Sequence, residues 1–402
     1  MNPTQRSGFE PTTTLNDIAA HARDWLFVAA HRWRSDLDRG ATLFPERMSI
    51  LGEKDSCPHR LFVQARHLFS YCEIGRLGWS GPWRPMVEAN VDFLVARGRR
   101  ADGLYIHRFD SDGGVLDDRA DLYDQAFMLL ALAYAARTLG RPELFAVAEA
   151  LDDALDAQWR LPHGGYHEGD VAVCPPYRQN PHMHLLESFI ALYALSGNPR
   201  WRRDAEHIAG LCARSFLHSE TGALLEYFDA DLNPIDGEEG RVTEPGHCFE
   251  WAWLFERLAQ WGFPEATRIS DGLVRFGRRH GLDAERGVAV NEVGTDGSIR
   301  NPSARLWPQT ERLKAALARH RRTREAEERV EAAEAYAGLV RYFDTPARGA
   351  WRDKLKPDGE WVDEPAPGSS LYHITCAMAE LIDAAQANED GSGRSARASA
   401  AR

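Results

Sequence analysis

Apolar residues recur on a helical period along nearly the whole chain, broken by clusters of Gly, Pro and Asp, and this pattern predicts about twelve helices. They fall near 15–38, 59–79, 83–98, 119–139, 142–159, 180–196, 199–218, 247–261, 264–280, 304–318, 325–344 and 370–386. Excursions rich in Gly, Asp and β-formers interrupt them at 103–115, 223–235, 287–299 and 350–361. Their reversals, at Asp112-Gly113, Asp231-Leu232-Asn233, Asp296-Gly297 and Asp358-Gly359, read as hairpin turns. Helix pairs separated by hairpins make a unit of about 60 residues, repeated six times. An open solenoid of such pairs needs polar caps at both ends. Here the first and last helices carry Trp25, Phe27, Trp33 and Tyr372, which predicts burial against each other. The expected fold is therefore all-α, a closed (α/α)6 barrel (toroid) whose inner helices begin near 59, 119, 180, 247, 304 and 370. It forms one domain, 15–386, between a polar stretch, 1–14, and a Ser/Ala/Arg-rich tail, 387–402, both read as disordered.

Composition bounds the partners. A hydrophobic share of 44% over 402 residues supports one large core. A formal charge of -12 excludes the basic face that nucleic acid requires. The six cysteines show no C-x-x-C spacing, so neither a zinc site nor a disulfide framework is indicated. No apolar run reaches the length of a membrane span and no leader pattern opens the chain, so a cytoplasmic protein is expected.

Candidate chemistry collects at the predicted inner-helix starts. Pro245-Gly246-His247-Cys248-Phe249-Glu250 places a histidine in a first helical turn with a carboxylate at i+3, on the same face. The helix dipole there disfavours an imidazolium, so His247 is expected to be neutral and able to accept a proton, with Glu250 pulling the other way. Asn180-Pro181-His182-Met183-His184-Leu185-Leu186-Glu187 repeats the His-x-x-Glu spacing after a proline. His182 and His184 point to different sides, so only one aims with Glu187. A third histidine, His373, opens the last helix in Ser370-Leu371-Tyr372-His373. Arg66 is a charge inside the apolar run Val63 to Phe69, where burial is costly without a partner or ligand. Tyr123 offers a hydroxyl at another start. Leu306-Trp307-Pro308-Gln309-Thr310-Glu311 joins a flat apolar ring to amide and carboxylate groups, the mixture that sugars want.

Together these motifs resemble the N-acylglucosamine 2-epimerase superfamily over roughly residues 15–386, and within it the continuation Phe249-Glu250-Trp251-Ala252-Trp253 is most similar to the bacterial D-mannose isomerase branch. The resemblance implies an (α/α)6 barrel acting on an unphosphorylated monosaccharide, with no metal, nucleotide or other cofactor essential to the chemical step. It assigns His247 and His373 as the acid/base pair. His184, Glu250, Asn180 and Arg66 would hold and polarise the sugar, Trp307 and Gln309 would shape the pocket, and Tyr123 and Arg241 would contribute to binding. His247-Cys248-Phe249-Glu250 departs from the Gly-His-Asp-Ile-Glu pattern of cellobiose 2-epimerases, which disfavours a disaccharide.

Interconverting an aldose and a ketose requires ring opening, removal of the C2 proton, an enediolate, and a proton returned at C1. Histidine, with an ordinary pKa near 6.5, suits both proton transfers. Isomerisation of D-mannose to D-fructose is the expected activity, and 2-epimerisation of a sugar on the same fold is the alternative. Paired His-x-x-Glu motifs also occur as metal ligands, although di-metal bundles use the reverse order, Glu-x-x-His. A non-catalytic repeat scaffold has no reason to gather His, Glu, Arg and Trp at helix starts. A glycoside hydrolase calls for two flanking carboxylates instead. A monomer and a homodimer fit equally.

Overall fold

The computed structural model describes residues 14–37, 40–162 and 164–399, so the expectation for 1–13 lies outside the described residues. Twelve α-helices appear among them: α1 (Leu15–Trp33), α2 (Leu61–Arg76), α3 (Trp83–Arg97), α4 (Leu122–Leu139), α5 (Glu143–Trp159), α6 (Asn180–Ser196), α7 (Pro199–Leu211), α8 (Pro245–Ala259), α9 (Ala266–Gly281), α10 (Leu306–Thr323), α11 (Ala326–Val340) and α12 (Ser370–Ser399). The last helix runs through most of the stretch read as tail, and residues 400–402 lie outside the described residues. No helix among the described residues is long and apolar enough to cross a membrane.

The even-numbered helices form the inner ring. Each packs on the next, from α2 through α4, α6, α8 and α10 to α12, and α12 packs back on α2, which closes the barrel. Burial follows this layering. In α4, 14 of 18 residues are buried, because neighbours surround it on every side. In the outer α3 the buried residues Met86, Val87, Asn90, Val91 and Leu94 form one stripe at i, i+4 and i+8, facing α2. Helix α1 closes the outer layer against α12. Trp25 and Trp33 are buried, but they stack on Phe343 at 3.7 Å and Trp351 at 4.2 Å, in the segment before α12, and Phe27 is only partly buried, so the expected packing of the first helix's aromatic residues against the last helix is met only in part.

Short strands aim the inner helices. Five of the six are entered from a strand of two residues, at His59–Arg60, Tyr177–Arg178, Val242–Thr243, Ala304–Arg305 and Ala366–Pro367. Each is held antiparallel to another short strand at the same mouth of the barrel. A second device recurs in three repeats. Gln64, Gln125 and Gln309 each occupy the fourth position of an inner helix, and each accepts from and donates to the backbone of the residue twenty positions earlier, namely Phe44, Tyr105 and Ala289. These amides satisfy buried backbone groups that would otherwise cost about 1–3 kcal/mol apiece.

Candidate active site

Because all inner helices start at one mouth, residues from six different repeats converge there. A cavity of about 150 Å³ is lined by Arg66 of α2, Tyr123 of α4, Asn180 and His184 of α6, His247 and Glu250 of α8, Trp307 of α10 and His373 of α12, with Glu244 and Arg305 from the entering segments. Eight of the ten residues singled out from the sequence thus meet in one place. Gln309 does not: its amide is spent on Ala289 and on the Arg305 carbonyl, so it braces the fold. Arg241 does not either. It sits in a 3-10 turn outside the cavity with its side chain 66% exposed, beside Glu238.

The three histidines share one design. Each turns Nδ1 to a buried carboxylate: His184 to Glu187 at 3.1 Å, His247 to Glu226 at 2.9 Å and His373 to Glu311 at 2.8 Å. With Nδ1–H donating, Nε2 is the nitrogen left for the cavity. The partner of His247 corrects the sequence reading, because Glu226, and not Glu250, takes its Nδ1 proton. Glu226 also accepts from the Gln179 amide and the Glu244 backbone N–H.

Protonation then differs sharply between them. Burial opposes charge on His247, but Glu226 at 2.9 Å and Glu244 at 3.9 Å outweigh it and push its pKa up to about 10. The expectation of a neutral His247 fails because two carboxylates outdo the helix dipole. Burial, together with the Arg66 and Lys314 cations, holds His373 well below the ordinary histidine range. Burial likewise keeps His184 neutral, while its partner Glu187 stays ionised, accepting from His184 and, very closely, from the Tyr372 hydroxyl.

Two further groups face the cavity, Arg66 without a carboxylate partner among the described residues and Glu250 without a hydrogen bond. Arg66 is 4% exposed and has no carboxylate within ion-pair distance among the described residues. Its guanidinium donates to the Tyr123 hydroxyl at 2.5 Å and the Ser369 carbonyl at 3.3 Å, and lies 4.1 Å from the Phe127 ring centre and 4.8 Å from that of Tyr372. Glu250 is 1% exposed and neither of its oxygens makes a hydrogen bond. Burial, with Glu311 and Glu187 close by, raises its carboxyl to about 8, so it is a neutral acid at pH 7 and a donor. Asn180 presents an unpaired Oδ1. Trp307 bridges the two distant histidines, 4.8 Å from His247 and 5.7 Å from His373 between ring centres.

Ligand-type atoms approach within 4.8 Å in three sets: His184, Glu187 and Glu250; Glu226, Glu244 and His247; Glu250, Glu311 and His373. In each set the histidine Nδ1 already bonds a carboxylate. The Glu250–Glu311 set already holds a cation, the Lys314 ammonium, 2.6 Å from Glu311 and 3.8 Å from Glu250.

Sequence reasoning missed Glu226, Glu244, Arg305 and Lys314. Glu226 carried a usable signal, a lone charge in Ala223-Leu224-Leu225-Glu226-Tyr227-Phe228, the same signal that singled out Arg66.

A closed helical barrel whose mouth gathers three buried histidines, each on a carboxylate, and a buried arginine around a small polar cavity has the groups that proton transfer on a small ligand requires. The description "N-acylglucosamine 2-epimerase (GlcNAc 2-epimerase)" matches residues 48–377, and the chain belongs to this family of sugar isomerases and epimerases. It is 39% identical over 375 residues to the "Mannose-6-phosphate isomerase" of Rhizobium meliloti (strain 1021), covering 91% of this chain and 97% of that one. It is 27% identical over 291 residues to the "D-mannose isomerase" of Thermobifida fusca, covering 66% and 70%. A crystal structure of D-mannose isomerase superposes with a TM-score of 0.83 at 19% identity, over 94% of this chain and all (100%) of that one.

Proposed function

We propose that the protein is an aldose–ketose isomerase that interconverts D-mannose and D-fructose, and related unphosphorylated sugars such as D-lyxose and D-xylulose, through an enediolate. The observation that carries this reading is that His247 and His373, each with Nδ1 on a buried carboxylate, face one small polar cavity together with Arg66 and Glu250. The imidazolium of His247 donates to the ring oxygen as the C1–O5 bond breaks and recovers a proton from the C1 hydroxyl. Nε2 of His373 then removes the C2 proton. Negative charge gathers on the oxygens of C1 and C2, where Arg66, lacking a carboxylate partner, and the neutral acid Glu250 stabilise it. Preorganised donors of this kind contribute roughly 10²–10³-fold each. His373 returns its proton to C1, the O2 proton passes to O1, and a C2 ketone results.

A single neutral base favours isomerisation over 2-epimerisation. Epimerisation through two histidines leaves them with exchanged protonation states after each turnover, so His247 would act as base in every reverse cycle. A group with a pKa of about 10 is about 10³-fold short of its free base at pH 7.

A phosphorylated sugar is the second reading, favoured by the name of the 39% identical relative. Arg305, half-exposed at the rim, is the cation placed to meet a phosphate, yet it is already paired with Asp353, and Glu244 faces the same space. The uncharged sugar therefore stands first. Incubating D-mannose and D-mannose 6-phosphate separately in D₂O, with NMR of the products, tests the proposal. Fructose carrying deuterium at C1 is expected from mannose. Turnover of the 6-phosphate alone replaces the substrate, and glucose without fructose replaces the reaction.

A further inference from the structure

His247 and His373 have nearly the same immediate partner, a buried carboxylate at 2.9 and 2.8 Å, and yet opposite charge states. Beyond burial and Arg66, part of the cause lies in the charges next to each pair. Glu311 gives one oxygen to His373 and the other to the Lys314 ammonium at 2.6 Å. Lys314 is wholly buried, 3.9 Å above the Trp253 ring and 3.8 Å from Glu250, and does not line the cavity. Among the described residues, no Lys or Arg pairs with Glu226. Its other contacts are a neutral amide and a backbone N–H, and the next charge is another carboxylate, Glu244. An ion pair behind a carboxylate spends the charge that would hold a proton on the histidine, and a second carboxylate adds to it.

We infer that Lys314 and Glu244 are positioning residues that divide the labour of the two histidines: Lys314, backing Glu311, reserves His373 for accepting a proton, and Glu244, backing Glu226, reserves His247 for donating one. Other groups act on each histidine as well: Arg66 lowers His373 more than Lys314 does, and Glu187 opposes both. Around His373 stand Arg66 on α2, His184 and Glu187 on α6, and Glu250 on α8. Around His247 stand His184 on α6, Glu250 on its own helix, and Arg305 and Glu292, which reach it through Glu244. His184 lies between the two sites and interacts with both histidines.

The inference rests on the isomerase reading for its meaning, but its test needs no substrate. The full chain labelled with ¹⁵N-histidine is titrated by NMR from pH 5 to 10.5, with His247→Asn and His373→Asn variants for assignment. His247 should stay protonated beyond pH 8 and His373 should titrate well below the ordinary histidine range. In Lys314→Met the His373 titration should rise by at least about one unit, and in Lys314→Met/Glu311→Gln it should fall back. Glu244→Gln should lower His247 by about a unit. With D-mannose, the acid limb of kcat in Lys314→Met should move up by the same amount as the His373 titration, with KM kept within about twofold. Two histidines titrating within one unit of each other in the parent protein overturn the inference even if the Lys314 variants do not fold. So does a folded Lys314→Met whose His373 titration is unmoved. Asymmetric titration without turnover of D-mannose refutes the substrate and leaves the inference standing.

Discussion

Replacing Glu226 by Gln removes the charge that most strongly holds the proton on His247 while keeping the side chain's size. Two unit charges about 4 Å apart interact by about 4 kcal/mol at an effective dielectric of 20, which is about three pKa units. The pKa of His247, about 10 in the parent protein, should therefore fall toward ~7. If His247 must be protonated to open the ring, the basic limb of kcat/KM for D-mannose should move from near pH 10 to near pH 7, with activity at pH 6 largely kept. Linkage supplies an independent readout. A folded-state pKa above the unfolded value near 6.5 stabilises the fold fully below that pH, and this contribution is lost as pH rises through about 10. Urea unfolding of the parent protein should thus lose stability between pH 7 and 10, and Glu226→Gln should flatten that slope. A basic limb that stays near pH 10 in a folded Glu226→Gln would refute the assignment of His247 as the acid.

Arg66→Met should lose at least about 10²-fold in kcat/KM while its Tm holds or rises, because the substitution removes a buried charge with no carboxylate partner; a clear fall in Tm would mean that Arg66 serves the fold. Gly246 lies where an added Cβ would come within 2.5 Å of the Trp307 ring and 3.0 Å of Pro308. Gly246→Ala should therefore displace Trp307, quench or shift its fluorescence and weaken sugar binding, despite the roughly 1 kcal/mol gain in helix propensity. Gln309→Ala should cost about 1–3 kcal/mol of stability in denaturant and leave kcat within a few-fold, since its amide serves the Ala289 backbone. Arg241→Ala should change neither kcat nor KM by more than about twofold, in keeping with side-chain exposure of 66%.

The barrel was legible because it follows from periodicity and local breakers. All twelve helices start within three residues of their predicted positions, although α12 runs past its predicted end at 386 to Ser399, and Pro245 and Pro181 mark the starts of α8 and α6 to within two residues. The converging side chains were legible for the same reason: once the inner helices share a mouth, residues near their starts must meet. What the sequence hid was pairing across repeats. Glu226 precedes His247 by 21 positions and reaches it only because the strands Tyr177–Arg178 and Tyr227–Phe228 pair beside the mouth. Local reasoning assigned the carboxylate at i+3 instead. It also read the Gln309 amide as a sugar ligand, although Gln64 and Gln125 at the same helical position show that the site is a backbone brace. Protonation was least legible of all, since it depends on the second charge behind each histidine, Lys314 in one case and Glu244 in the other.

The central claim is that one base, His373, carries the C2 proton to C1 on one face of the sugar. Turnover of D-[2-²H]mannose in H₂O, followed by ²H NMR of the product, tests it most directly. Part of the label should appear at C1 of fructose, and His373→Asn should abolish its formation in a folded protein. Product glucose, or fructose formed at the parent rate by His373→Asn, would contradict the account.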